Sequence, residues 1–402
     1  MAPEREMLTP PKKSVRDIDV SGKDVLVRVD FNVPLDKSRN VADDTRVRGA
    51  IPTIQYLLDH GAHPILMSHL GRPKGQVVES LRMAPVGKKL QELINYPVMS
   101  LKECVGPRVK SAVKKNKDKI ILLENLRFHP GERENLPDFS KQLADLADIY
   151  VDDAFGTSHR AHASTVGVTA YLPSVMGLLM EKELEMLGGL LEDPARPFVV
   201  VLGGNKVSDK LGVIDSFLDI ADIIITGGGM CFTIIKSMGL EVGQSVLEDD
   251  QLPQIAQAMK KARRKGVRLL VPSDVVVADR FDKDANSKIV PIESIPNNWI
   301  GLDIGPVTVE KYCAVLDEAC TIFWNGPMGV FEWPSFENGT RSIAECIARA
   351  RGTTVVGGGD SDAALRQFGL EDRMDFVSTG GGAAMRLLEG KKLPAVEALS
   401  DR

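Results

Sequence analysis

The chain has 402 residues, of which 43% are hydrophobic and 26% charged, with 50 basic and 55 acidic side chains for a formal net charge of −5. Such a length suggests two domains of ordinary globular composition. The charge balance provides no overall positive field to recruit nucleic acid or a membrane surface, although a local basic cluster can still hold a small anion.

In chain order, residues 1–15 are polar and charged, include Pro10 and Pro11, and lack the apolar centre of a secretory signal, so a short disordered lead-in is expected there. Short β-branched runs then alternate with helical patterns to the C-terminus, which argues for an α/β fold with parallel sheets flanked by helices. In the first half the runs are 25–29, 64–67, 120–123 and 148–151, and in the second half 198–202, 223–225, 268–271, 321–324, 353–356 and 376–377. Amphipathic segments at 53–58, 136–147, 254–264 and 341–351 read as intervening helices. The longest apolar runs are strand-length and far short of a membrane span. A run beginning at Met176, MGLLMEKELEMLGGLL, is a candidate connecting helix before a break at 194–197.

The strands of the two halves end differently. In the first half they run into polar and charged residues: Arg28, Asp30 and Asn32, then Ser68, His69 and Arg72, then Glu124, Asn125 and Arg127, then Asp152 and Asp153. In the second half they run into glycines at 203–204, 227–229, 357–359 and 380–382, and all six histidines fall in the first half. Ligands of open α/β sheets bind beyond the carboxyl ends of the strands, so these residues face the ligand. Glycine there admits backbone amides close to an anion, or else makes a tight strand-to-helix turn.

Neither GxxxxGK followed by serine or threonine nor GxGxxG is present, which weakens the case for a P-loop NTPase or a dinucleotide dehydrogenase. Instead, Lys206 and Lys210 follow Gly203-Gly204; a helix starting there would put both on one face to serve one polyphosphate. Asp360 is either a Mg²⁺ carboxylate or a helix N-cap. Arg46, Arg72, Arg127 and Arg160, with His69 and His162 nearby, suit a small phosphorylated acid if they converge, whereas any one alone reads as a surface charge. The five cysteines contain no CxxC pair and read as reduced thiols of a cytoplasmic enzyme.

From about Val15 to Leu399 the sequence resembles phosphoglycerate kinase. The resemblance is carried by VRVDFNVPL (27–35), DDTRVRGAIPTI (43–54), SHLGRPKG (68–75), LLENLRFHPGE (122–132) and VDDAFGTSHRAHAS (151–164). It continues through GGNKVSDKLGVI (203–214), GLDIGP (301–306), WNGPMGVFE (324–332), GGGDS (357–361) and STGGGA (378–383). It implies reversible phosphoryl transfer between ATP and the carboxylate of 3-phosphoglycerate, giving ADP and 1,3-bisphosphoglycerate, in a monomeric enzyme using Mg²⁺. The implied fold is two Rossmann-like three-layer domains joined by a hinge helix. Residues 1–175 would bind phosphoglycerate, 176–193 form the hinge, 194–390 bind nucleotide, and 391–402 return to the first domain.

Residue by residue, the resemblance puts Asp30, Asn32, Arg46, His69, Arg72, Arg127 and Arg160 on the phosphoglycerate. Arg46 and Lys206 become catalytic, both contacting the phosphoryl group in transfer. Lys206, Lys210, Gly301, Glu332, Gly358, Gly359, Asp360 and Ser361 fall on the nucleotide, with Asp360 also on the metal. A carboxylate acceptor is already ionised at pH 7, so no general base is required. Asn205, Cys231, Asp362 and Arg386 depart from the family pattern. Asp362 either tunes the metal or is an acidic first helical turn. Other small-molecule kinases, dehydrogenases and a non-enzymatic two-lobed binder are the competing readings, and the last would require loss of Lys206, Arg46 or Asp360, all present.

Overall fold

The structure, a computed structural model, describes residues 11–402. The first sheet comprises β1 (Asp24–Arg28), β2 (His63–Met67), β3 (Val98–Ser100), β4 (Ile120–Leu122), β5 (Ile149–Asp152) and β6 (Ser174–Met176). All pairings are parallel, in the order β3-β4-β2-β1-β5-β6. A second parallel sheet begins with β7 (Phe198–Leu202), β8 (Ile223–Thr226) and β9 (Arg268–Leu270). The chain then leaves it for β10 (Asp274–Ala278), β11 (Ser287–Pro291) and β12 (Ile300–Ile304), which pair antiparallel among themselves. It returns as β13 (Thr321–Asn325), β14 (Thr353–Gly357) and β15 (Phe376–Val377), giving the order β15-β14-β13-β7-β8-β9.

Strands covered on both faces by helices must be apolar throughout rather than alternating. β7, FVVVL, is buried at every position, and β1 is buried from Val25 to Arg28. Val25 and Val27 pack in one core with Val47, Ile54 and Leu57 of the helix Thr45–Asp59. In the second sheet Val199, Val201, Ile322 and Trp324 share a core with Leu316, Ile343 and Ile347 of the helices Pro306–Asp317 and Asn338–Arg349. The chain divides into two compact units, residues up to Glu185 together with Lys391–Arg402, and Met186–Gly390. The helix Leu178–Glu192 begins in the first unit and ends in the second.

Three expectations need correction. The antiparallel sheet β10–β12 was not foreseen: β11 is exposed at most positions, and its run SKIVP lacks the apolar density used to recognise the other strands. Lys12 to Val15 is ordered, not a disordered lead-in. Lys12 is buried and donates to the carbonyls of Glu397 and Leu399 and to Asp401, while Val15 lies in the core. The first ten residues of that expected lead-in lie outside the described residues. Finally, the cysteines are not all thiols: Cys313 and Cys346 form a disulfide. Packing of the helices Pro306–Asp317 and Asn338–Arg349 brings their Cα atoms to 5.6 Å, a juxtaposition that a separation of 33 residues does not announce. Cys104 and Cys231 are buried free thiols, and Cys320 is an exposed one.

Asp153, fully buried just after β5, accepts at Oδ1 from the backbone N–H groups of Leu179 and Met180 at the start of the helix Leu178–Glu192. Burial nevertheless dominates and raises its pKa from 3.8 to about 8. A carboxyl that holds its proton more tightly when folded contributes stability below the unfolded pKa, and that contribution is lost as pH rises through the folded one. Urea unfolding followed by circular dichroism should therefore show stability falling between about pH 4 and pH 8, with a shallower fall in Asp153→Asn. Equal slopes would contradict this. The disulfide closes a long loop, so its reduction should destabilise the second unit by roughly 2–4 kcal/mol. All three tryptophans, Trp299, Trp324 and Trp333, belong to that unit, so fluorescence-detected unfolding with and without a thiol reductant measures the difference.

Candidate active site

In the first sheet the strand order reverses between β1 and β5, and in the second between β7 and β13. A reversal opens a crevice at the carboxyl edge of a parallel sheet. In the first unit the loops at that edge are tied together by side-chain hydrogen bonds. Arg46 Nη1 donates to Asp30 Oδ2 at 2.9 Å and to the Asn32 carbonyl at 3.3 Å. Asn32 Oδ1 accepts from Gly71 N at 2.8 Å, and the Gly71 carbonyl accepts from Arg127 Nη1 at 2.8 Å. Beneath them Asn125, wholly buried, accepts from the backbone of Leu70 and Arg127 and donates to the carbonyls of Leu70 and Leu81.

These contacts assemble positive charge with too little negative charge to balance it. Burial, then Arg28 and Arg160, push the Arg127 pKa down to about 10, against the opposing pull of Glu132. Burial, then Arg28, Arg127 and Arg46, hold His69 well below the usual imidazole range. Among the described residues, the buried Nε of Arg127 has no acceptor. Arg46 lies in the first turn of the helix Thr45–Asp59, where the helix dipole adds positive potential to its own charge. Arg72 is exposed beside Gly71, and Arg160 Nε donates to His159 Nε2 at 3.1 Å. All seven residues expected on the substrate side therefore lie in this unit, six of them linked by hydrogen bonds or by mutual charge effects, and Arg72 adjoins Gly71 in that web.

In the second unit the backbone does much of the positioning. Gly203 N donates to the Asn325 carbonyl and Gly204 N to that of Pro327, both at 2.9 Å. A Cβ on Gly203 would lie 2.1 Å from the Pro327 oxygen, so Gly203 serves first for backbone-to-backbone packing at the strand reversal, whereas a Cβ on Gly204 would meet nothing. Gly228 N is likewise used, by the Met328 carbonyl. Gly359, Gly381 and Gly382, like Gly204, face open space. The expectation of a helix carrying Lys206 and Lys210 on one face is corrected: the helix is Leu211–Phe217, and both lysines precede it, Lys206 in the loop and Lys210 at the end of a turn. The loop before the helix is shaped by Gly204, at φ +100°, instead of by early helical turns.

Lys210 donates to Asn325 Oδ1, and Asn325 Nδ2 donates to the Gly357 carbonyl at 2.7 Å. Burial lowers the Lys210 pKa, while Asp209 and Asp360 raise it. Lys206 is exposed. Asp360 is exposed in the first turn of the helix Gly359–Phe368, whose N-cap is Gly358, so the N-cap alternative for Asp360 falls away. Ser361 is buried and its Oγ accepts from Gly326 N at 2.7 Å. Gly301 of β12 lies under Phe232, which a Cβ would meet at 1.9 Å, and Glu332 is exposed just past Val330, whose N–H bonds the Leu302 carbonyl.

Of the residues that depart from the pattern, Asp362 pairs with Arg366 one turn along its own helix, which favours the plain helical reading. Cys231 is buried in an apolar cluster with Phe232 and Val242, and Arg386 is exposed on the helix Gly382–Leu388. Asn205 is exposed, and its backbone lies close enough to Gly229 that a Cβ there would be 2.8 Å away. In the sequence Arg28 and Asn125 stand out only as strand-end residues, and Asn325 is not singled out. Arg28 and Asn325 end their strands and Asn125 lies in the loop after β4, where Asn125 and Asn325 offer both a donor and an acceptor for tying loops.

A family model described as phosphoglycerate kinase matches residues 15–391. The phosphoglycerate kinase of Moorella thermoacetica is 51% identical over 392 residues, covering 97% of this chain and all of that protein. That of Rubrobacter xylanophilus is 54% identical over 391 residues, covering 97% and 99%. Among solved structures, phosphoglycerate kinase from Coxiella burnetii superposes with a TM-score of 0.87 at 40% identity, covering 96% of this chain and 98% of that one. The enzyme from Pyrococcus horikoshii gives 0.79 at 30% identity with the same coverage. With two six-stranded parallel sheets of matching architecture and near-complete coverage at such identity, the chain belongs to the phosphoglycerate kinase family, glycolytic phosphotransferases that exchange a phosphoryl group between ATP and 3-phosphoglycerate.

Proposed function

We propose that the strand-end face of the first unit binds 3-phosphoglycerate or 1,3-bisphosphoglycerate through Asp30, Asn32, Arg46, His69, Arg72, Arg127 and Arg160. Residues 194–390 bind ATP or ADP, 176–193 act as the hinge, and 391–402 complete the first domain. The observation that carries the substrate reading is the gathering of Arg46, Arg127 and His69 at this face, where burial first and neighbouring cations second depress both Arg127 and His69. A doubly or triply charged phosphorylated acid relieves that repulsion, and the guanidinium forks match carboxylate and phosphate oxygens.

The attacking oxygen is a carboxylate, which needs no proton removed, and the residues at hand are accordingly donors and cations. Arg46 orients the acceptor and neutralises charge on the group in transfer. Lys206 does the same from the nucleotide side, while Lys210, held by Asn325, meets the nucleotide phosphates. Gly358 and Gly359 let the phosphates approach the start of the helix Gly359–Phe368, where its dipole is positive. Gly301 and Glu332 flank the nucleoside. Ser361 secures the loop through Gly326.

No group of three or more metal-ligating side chains occurs among the described residues. One exposed carboxylate, Asp360, fits Mg²⁺ carried in by the nucleotide, because that ion takes one or two carboxylates and otherwise phosphates and water. When bound, it would supply charge neutralisation at the phosphates. Because acceptor and donor are held by different units, the cycle includes a closure that brings them together and excludes water from the acyl phosphate. A monomeric state and a cytoplasmic location complete this reading on the strength of the resemblance.

The test couples production of 1,3-bisphosphoglycerate from MgATP and 3-phosphoglycerate to NADH oxidation. Arg46→Ala and Lys206→Ala should each lower kcat by about 10²–10³-fold with folding intact; near wild-type turnover in either removes its assigned role. Arg72→Ala should raise KM for 3-phosphoglycerate by about tenfold and leave that for ATP nearly unchanged. Asp360→Ala should raise the Mg²⁺ concentration needed for half-maximal rate, and an unaltered metal titration would move the metal carboxylate elsewhere.

A further inference from the structure

Under the strand-end face of the first unit lies a buried polar chain that the roles above do not use. Two of the family stretches, 122–132 and 151–164, end on Glu132 and Ser164, and both residues are wholly buried. Ser164 donates twice to Glu132, from its backbone N to Oε2 at 3.0 Å and from Oγ to Oε1 at 2.7 Å. Its carbonyl accepts from the Tyr150 hydroxyl at 2.8 Å, so the residue is pinned on both sides. Ser164 Oγ in turn accepts from Arg28 Nε at 2.9 Å.

Arg28 is 1% exposed at the end of β1, and a guanidinium that deep requires a counter-charge. Glu132 provides it through the Ser164 hydroxyl, alongside buried Asp152 on the neighbouring strand. The remaining donors of Arg28 reach the Val29 carbonyl and, from Nη2, His69 Nδ1 at 3.0 Å. A guanidinium only donates, so His69 Nδ1 must accept, and the neutral ring then carries its proton on Nε2. Burial and the charges of Arg28, Arg127 and Arg46 all keep that ring neutral. Glu132 Oε1 also lies 3.6 Å from Nδ1 of His162, so one carboxylate touches the settings of two histidines at this face.

We propose that Glu132 and Ser164 are positioning residues for the phosphoglycerate side of the reaction. The line Glu132–Ser164–Arg28–His69 fixes His69 as a neutral Nε2–H donor toward the anionic substrate. The proposal rests on the reading that this face binds phosphoglycerate. A merely structural Glu132 would affect stability without selecting a histidine tautomer or one substrate over the other.

The test measures the His69 tautomer by nitrogen-15 NMR of imidazole-labelled enzyme without ligands, together with KM for each substrate. Glu132→Gln keeps the size and removes the charge, and Ser164→Ala removes the bridging hydroxyl. Each should shift His69 away from the pure Nε2–H form. Each should also raise KM for 3-phosphoglycerate by about tenfold, with KM for ATP changed by less than about twofold. Should Glu132→Gln fail to fold, Ser164→Ala decides alone. An unchanged His69 tautomer overturns the proposal, as does an unchanged KM for 3-phosphoglycerate when Arg72→Ala raises it. If Arg72→Ala leaves that KM unchanged, the substrate reading of the face is what fails, and the proposal with it.

Discussion

Parallel strands deliver all their carboxyl ends to one edge of a sheet, and that constraint assembles the functional face of each unit. Arg28, His69 and Arg127 are far apart in sequence, yet β1, β2 and β4 are neighbours in the first sheet, so their following loops meet. Once there, the loops have no ladder to hold them. Asn32, Asn125 and Gly71 take over with side-chain and backbone hydrogen bonds, which is why amides and a glycine sit among the arginines. In the second sheet the same constraint brings Gly203 against Gly326, and only the absence of a Cβ lets the two chains pass.

The two faces manage charge in different ways. The first gathers side-chain cations close together, so that burial first and their mutual repulsion second depress Arg127 and His69, leaving a potential that a small anion relieves. The second uses few charged side chains, with Lys210 partly buried and anchored by Asn325, and relies on backbone and helix starts. A reaction whose nucleophile arrives ionised has no use for a proton acceptor, and such electrostatic economy is what both faces offer.

Much of this was legible in the chain. Strands with continuous apolar runs, such as 198–202, stood out because two-sided burial demands such runs. The strand-end residues were legible by the same logic, since they mark where apolar sequence stops. What stayed hidden had no local signature. β11 is a largely exposed edge strand, and the partner of Cys313 was fixed only by helix packing. The lysine pair was misread because a glycine-rich turn and a helix start look alike in composition, while φ at Gly204 decides between them. Glu132 received no reading of its own, and nothing nearby in sequence indicates that it answers a buried arginine.

The last dozen residues belong to the first unit: Ala395, Val396 and Leu399 are buried in it, and the ammonium of Lys12 is held by carbonyls of Glu397 and Leu399. The second unit is thus an insertion between two portions of the first. On a ribosome the chain emerges from its N-terminus, and an inserted domain can fold as soon as its own residues have cleared the tunnel. The first unit, though begun earlier, waits for residues 391–402 to emerge before Lys12 finds its acceptors.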